Sequence, residues 1–132
     1  MKKFLLIVLA VFTVFLTFAC TKKNTVKKED IIDKTFVREK GGFAGDFTIS
    51  FYKDGLFRYY EGPLSSYIGM GKWSIEKDNV ILDEAGNEKK YVFSFKDNKL
   101  IFNAEGSDNF LYLKCEDGDL FKLTEEKPWY QE

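Results

Sequence analysis

The chain has 132 residues, with 20 basic and 21 acidic side chains, two cysteines and no histidine. That near-neutral balance excludes the basic face of a nucleic-acid binder, and the lack of histidine removes the usual general base, the usual metal ligand and any Ser-His or Cys-His nucleophile pair. The length allows one modest domain, and 14 phenylalanines with 7 tyrosines promise it an aromatic core.

Lys2 and Lys3 precede an apolar run over 4–19, after which the chain turns polar at Cys20. A charged start, an apolar stretch and a small residue before the junction read as a secretory signal peptide over 1–19. A membrane-spanning helix needs about 20 apolar residues. Leu16-Thr17-Phe18-Ala19-Cys20 resembles the bacterial lipoprotein signal, with Thr17 standing where that family prefers an aliphatic residue. The resemblance implies a diacylglycerol on Cys20 and a mature protein held on the outer face of the cell membrane. The alternative is cleavage after Ala19 alone, leaving Cys20 as the terminal thiol of a secreted chain. Each buried CH₂ of an acyl chain contributes about 0.8 kcal/mol, so two or more chains anchor a small domain durably where one does not.

Removing 1–19 takes Lys2 and Lys3 with it and leaves 18 basic against 21 acidic residues, a net charge of −3. Residues 20–33 read as a flexible basic linker, with a reach of about 20 Å for roughly a dozen residues. Its Lys22, Lys23, Lys27 and Lys28 either meet anionic lipid head groups, at about 1 kcal/mol each, or simply keep the tether solvated. A turn or two of helix is expected around 28–34, where Glu29 and Asp30 precede Ile31 and Ile32. With Cys20 lipidated no intrachain disulfide is available, so packing alone stabilises the domain.

From Thr35 the pattern has period two. Strands are expected at 35–39, 46–52, 56–61, 71–76, 79–83, 90–96, 99–103, 109–115 and 119–124, separated mostly by turn-rich segments of two to four residues such as Lys53-Asp54-Gly55. Eight or nine antiparallel strands in sequential hairpins expose two edges unless the sheet closes. The expected fold is therefore an all-β, up-and-down barrel of the calycin or lipocalin type over 34–124, with a strongly curved sandwich as the other solution and 125–132 as a tail. Its core is expected from Phe36, Phe47, Ile49, Phe51, Trp73, Ile75, Val80, Leu82, Phe93, Phe95, Leu100, Phe102, Leu111, Leu113 and Phe121. Alternation in 109–115 puts Cys115 on the face of Leu111 and Leu113, as a small buried hydrophobe rather than a reactive thiol.

Acidic residues fall mostly in turns or at strand ends, where solvated carboxylates are expected, and no pair stands out as catalytic. Asp117-Gly118-Asp119 lacks the further oxygen ligands of a calcium loop and reads as an ordinary hairpin. The alternation breaks in Tyr59-Tyr60-Glu61-Gly62-Pro63-Leu64-Ser65-Ser66-Tyr67-Ile68-Gly69-Met70-Gly71-Lys72-Trp73. This long loop either folds over one barrel end as a plug or forms a recognition lip for a peptide, glycan or small ligand. The binding candidates are Tyr59, Ser65, Ser66, Tyr67, Met70 and Trp73.

That segment, with Gly42-Phe43-Ala44-Gly45-Asp46-Phe47-Thr48-Ile49, Asp54-Gly55-Leu56-Phe57-Arg58-Tyr59-Tyr60-Glu61-Gly62 and Leu100-Ile101-Phe102-Asn103-Ala104, resembles a small extracytoplasmic, lipocalin-like β domain of Gram-positive lipoproteins. The same domain is appended to sensor peptidases of the BlaR/MecR type. The resemblance implies an outward-facing sensing or binding module. Ser65-Ser66-Tyr67-Ile68 has no lysine where a penicillin-binding nucleophile motif requires one, and no peptidase motif is present. A non-enzymatic ligand-binding or sensing module follows, without cofactor, metal or nucleic acid, whose partners are the membrane and an unknown small ligand, glycan or protein. A structural or envelope-stress lipoprotein, or an inhibitor acting by protein contact, is the alternative, and an enzyme comes third.

Overall fold

The computed structural model describes residues 25–38, 46–63 and 65–131. The signal peptide, Cys20, Glu39, the Gly42-Phe43-Ala44-Gly45 stretch and Leu64 lie outside those residues. Eight strands follow one another: β1 (Thr35–Arg38), β2 (Phe47–Phe51), β3 (Leu56–Tyr60), β4 (Ile68–Glu76), β5 (Asn79–Glu84), β6 (Lys90–Lys96), β7 (Lys99–Asn103) and β8 (Leu120–Thr124). Each pairs antiparallel with the next, and β8 returns to β1 through Phe36↔Leu123, closing an up-and-down barrel of the calycin or lipocalin kind. Closure leaves no strand edge for another chain to extend.

Period-two alternation sorts the side chains. Phe36, Phe47, Phe51, Phe57, Phe93 and Phe121 point inward and are wholly buried, whereas Arg58, Met70 and Lys72 point out. The turns obey their local chemistry: Gly55 sits at φ +80°, and Asp97 and Asn98 both hold positive φ in the two-residue turn between β6 and β7. In the middle of the barrel Phe47, Tyr59, Phe93 and Phe121 meet at centroid separations of 5.2 to 5.8 Å, so rings fill the interior.

The two ends differ. At one, called here the Trp73 end, Phe36, Phe51, Trp73 and Phe95 pack edge to face, and the Trp73 indole N–H donates to the Tyr52 carbonyl at 3.2 Å. The 3₁₀ turn Lys28–Asp30 leads into this core, with Val26 and Ile31 buried in it. The folded unit thus begins ahead of residue 34. It also reaches past 124: Tyr130, in the 3₁₀ turn Trp129–Gln131, is buried on the outside of β2, where its hydroxyl lies 2.8 Å from Thr48 Oγ1.

Two expectations need correction. Residues 109–115 form no strand. Their backbone is held instead by side chains of other elements: Glu61 accepts the Tyr112 and Leu113 N–H groups, and Arg38 donates to the Lys114 carbonyl. Leu111 is consequently 47% exposed rather than in the core, while Cys115 is buried, 3.2 Å from the Arg38 guanidinium. The loop after β3 is also shorter than expected, because Ile68, Gly69 and Met70 belong to β4 and pair with Tyr60, Tyr59 and Arg58.

Candidate functional site

At the opposite end, the Glu84 end, the barrel interior turns polar. Inward alternation in β5 runs Val80, Leu82, Glu84, and in β3 it runs Phe57, Tyr59 and on to Glu61 beyond the last strand residue. Both carboxylates are carried inside by the same periodicity that buries the rings. Glu84 is 4% exposed and Glu61 1%. The expectation of solvated acidic residues therefore fails at the two positions that matter most.

Glu84 is satisfied by a fan of donors. Tyr59 and Tyr67 donate their hydroxyls to Oε1 at 2.9 and 2.6 Å, Asn87 Nδ2 adds a third contact at 3.3 Å, and Tyr91 donates to Oε2 at 2.7 Å. Charge-assisted bonds of this length offset much of the desolvation of a buried carboxylate. Burial, then the neighbouring Tyr91 and Glu84, push the Tyr59 phenol far above its ordinary pKa; burial and Glu84 do the same for Tyr91, and for Tyr67 the bond to Glu84 leads. All three stay neutral donors under any physiological condition.

Glycine makes the fan possible. The Tyr59 ring lies over Gly69 on the neighbouring strand, where any Cβ would run into it, and a Cβ at Gly71 would collide with the Asp83 carbonyl. Gly69 thus leaves the room the Tyr59 ring occupies on its way to Glu84, and Gly71 lets β4 approach the Asp83 backbone of β5.

Glu61 is in a different situation. Its Oε1 accepts two backbone N–H groups, from Tyr112 and Leu113, both at 2.9 Å, but its Oε2 is buried with no hydrogen-bond partner. Arg38, the third buried charge here, bonds Asp119 and the Lys114 carbonyl at 3.2 and 3.1 Å and lies over the Phe47 ring at 5.5 Å. Asp119 bonds Arg38 and Asp117 accepts the Ala104 N–H; with 109–115 not a strand, Glu116-Asp117-Gly118 is a turn leading into β8 rather than the expected hairpin. Over the whole end lies Phe110, stacked on Tyr91 at 4.0 Å and edge-on to Phe47 and Tyr59 at 4.8 and 5.1 Å.

The structure separates the six residues singled out from the sequence. Tyr59 and Tyr67 converge on Glu84, and buried Ser65 orients Tyr67 by accepting its backbone N–H at 3.1 Å. Ser66 is exposed. Met70, 49% exposed, stands on the outer wall beside a groove of about 400 Å³ that also involves Leu56, Lys72 and Ala85. Trp73 is buried at the far end. Among the described residues of the loop after β3, Glu61, Gly62 and Ser65 are buried and Tyr67 bonds Glu84 at the barrel end. Glu61, Glu84, Tyr91 and Phe110 were missed, although parity from Phe57 and Val80 points to both carboxylates. Among the described residues no cluster of acidic or cysteine side chains is arranged to hold a metal.

These features define a closed eight-stranded antiparallel barrel with a filled centre and one polar, aromatic-walled end. Compared with family models, with curated proteins and with solved structures, the chain finds no match.

Proposed function

We propose that the protein is a lipid-anchored, extracytoplasmic binding module, non-enzymatic, which meets its ligand or partner at the Glu84 end. The observation that carries this reading is the asymmetry of the barrel. The chain enters at the Trp73 end, where Thr25, Val26 and Lys27 line a recess with Phe95 and the Asp97-Asn98 turn. Thr25 lies five positions after Cys20, so an anchor on that cysteine holds the Trp73 end toward the lipid and leaves the Glu84 end facing away. The outward end is also where charge is buried under a segment without strand pairing, and such loops on a rigid scaffold commonly carry recognition.

The second reading, a structural lipoprotein or an inhibitor working by protein contact, draws on the ring-filled interior and on the outer-wall groove beside Met70. Amide chemical-shift mapping with a library of small soluble molecules separates the two. Perturbations gathered at 61, 84, 91 and 110–113 are expected. Their gathering at 56, 70 and 85 overturns the Glu84-end reading in favour of the wall. For the anchor, a diacylglycerol mass on Cys20 and processing blocked by globomycin are expected, and an unmodified Cys20 overturns it.

A further inference from the structure

Two buried carboxylates share the Glu84 end and only one is satisfied. Glu84 receives three phenols and an amide, whereas Glu61 keeps Oε2 buried and unbonded. Arg38, the one buried cation in the described barrel, spends Nη1 on Asp119, Lys114 and Cys115 and keeps Nε buried and unbonded, and no described lysine or arginine lies within ion-pair reach of Glu61. Leaving a carboxylate oxygen bare in a low-dielectric setting is expensive, so the position favours a donor with positive charge. The surroundings suit one: Glu61 holds the backbone two and three residues after Phe110, whose ring lies among the faces and edges of Tyr59, Tyr91 and Phe47.

Phe110 covers that end, held by ring contacts rather than by strand pairing. It belongs to a stretch with no strand between Asn103 and Leu120, which is pinned by the Glu61 carboxylate, by Arg38 and by a Lys89 ammonium on the Asn109 carbonyl. Its ring can leave without breaking a strand ladder. A flat apolar group stacked 4.0 Å from Tyr91, two residues ahead of the backbone that a half-satisfied buried carboxylate holds, has the form of a built-in competitor.

We infer that the Phe110 ring occupies a binding site for a small amine with an aromatic or similarly flat body. On binding, the body replaces the ring against Tyr91 and the ammonium donates to Glu61 Oε2, while 109–111 swings outward and the Glu61 Oε1 bonds to the Tyr112 and Leu113 N–H groups hold. This rests on the Glu84-end reading above and narrows it to a ligand class.

Calorimetric titration of the full chain in detergent with phenethylamine, and with its uncharged counterpart 2-phenylethanol, tests the assignment. Wild type is expected to prefer the amine by at least about tenfold. Glu61→Gln keeps an acceptor for the Tyr112 and Leu113 N–H groups but loses the charge, and the preference is expected to vanish with it. Phe110→Ala, or Phe110→Leu where alanine unfolds the domain, is expected to bind both probes more tightly because the competitor is gone. Equal affinity for the two probes, a preference that survives Glu61→Gln, or no saturable binding of either probe by wild type and the Phe110 variant overturns the inference. If other molecules still perturb 61, 84 and 110–113 in that event, the preceding reading stands and only the ligand class falls.

Discussion

The two ends of this barrel close the same cylinder by opposite means. The Trp73 end is sealed by edge-to-face rings and by Val26 and Ile31, with hardly a polar side chain involved. The Glu84 end is sealed by Phe110 but organised by Glu84, Glu61 and Arg38, and its loops are tied by carboxylate and guanidinium rather than by packing alone. Hydrophobic burial tolerates imprecision, since area counts more than angle. A buried charge network does not, because each missing partner strands a desolvated group. The dry end therefore supplies bulk stability, and the polar end supplies a shape that small chemical changes can undo.

The largest expected effect sits at the polar end. Glu84→Ala strands the Tyr59, Tyr67 and Tyr91 hydroxyls, and at about 1–3 kcal/mol per orphaned donor the loss is on the order of 5 kcal/mol. Urea unfolding measures it; a change under about 1 kcal/mol would erase the distinction between the ends. Phe51→Ala at the dry end removes a fully buried ring beside Phe36 and Trp73 and is expected to cost about 3–4 kcal/mol as a cavity. That cost should be the same at pH 7 and pH 10.5, which separates it from the next effect.

Alkaline pH is expected to weaken the fold chiefly through the Glu84 end. The phenols of Tyr59, Tyr91 and Tyr67, together with that of Tyr130 on the outer wall, are raised in the folded protein. Unfolded tyrosines ionise near pH 10, so stability is full below about pH 10 and falls as pH rises above it, where the unfolded chain alone sheds these protons. Denaturant midpoints between pH 9 and 11.5 follow the decline, and Tyr91→Phe should flatten it. The smallest effect is that of Tyr67→Phe, which deletes one partly exposed donor to Glu84. A loss of about 1 kcal/mol is expected, roughly 4–8 °C in Tm; a loss as large as that of Glu84→Ala would mean Tyr67 holds the loop by itself.

Much of the barrel could be read from alternation and turn chemistry, because inward and outward faces differ in hydrophobicity in nearly every strand. What escaped notice has definite physical causes. Segment 109–115 alternates like a strand, yet its backbone groups are satisfied by Glu61 and Arg38, partners far away in sequence. Gly69 reads as a loop residue because its missing side chain looks like missing pattern, when that absence is the room the Tyr59 ring fills. Glu61 and Glu84 carry the right parity for the interior, but a lone carboxylate gives no hint of the hydroxyls and amides that make its burial tolerable. Tyr91 is absent from the expected core yet wholly buried, its hydroxyl satisfied by Glu84.

The pairing of the first strand with the last has a consequence for how the chain comes to be folded. Every other ladder joins neighbours in sequence, but β1 finds its second partner only in β8. Until Leu120–Thr124 is available, β1 and β7 are two open edges and the aromatic interior has a missing wall. Contacts of such long sequence separation form slowly, so a chain made from its first residue onward holds an open sheet with two unpaired margins until its last strand emerges, and closure is the late step of folding.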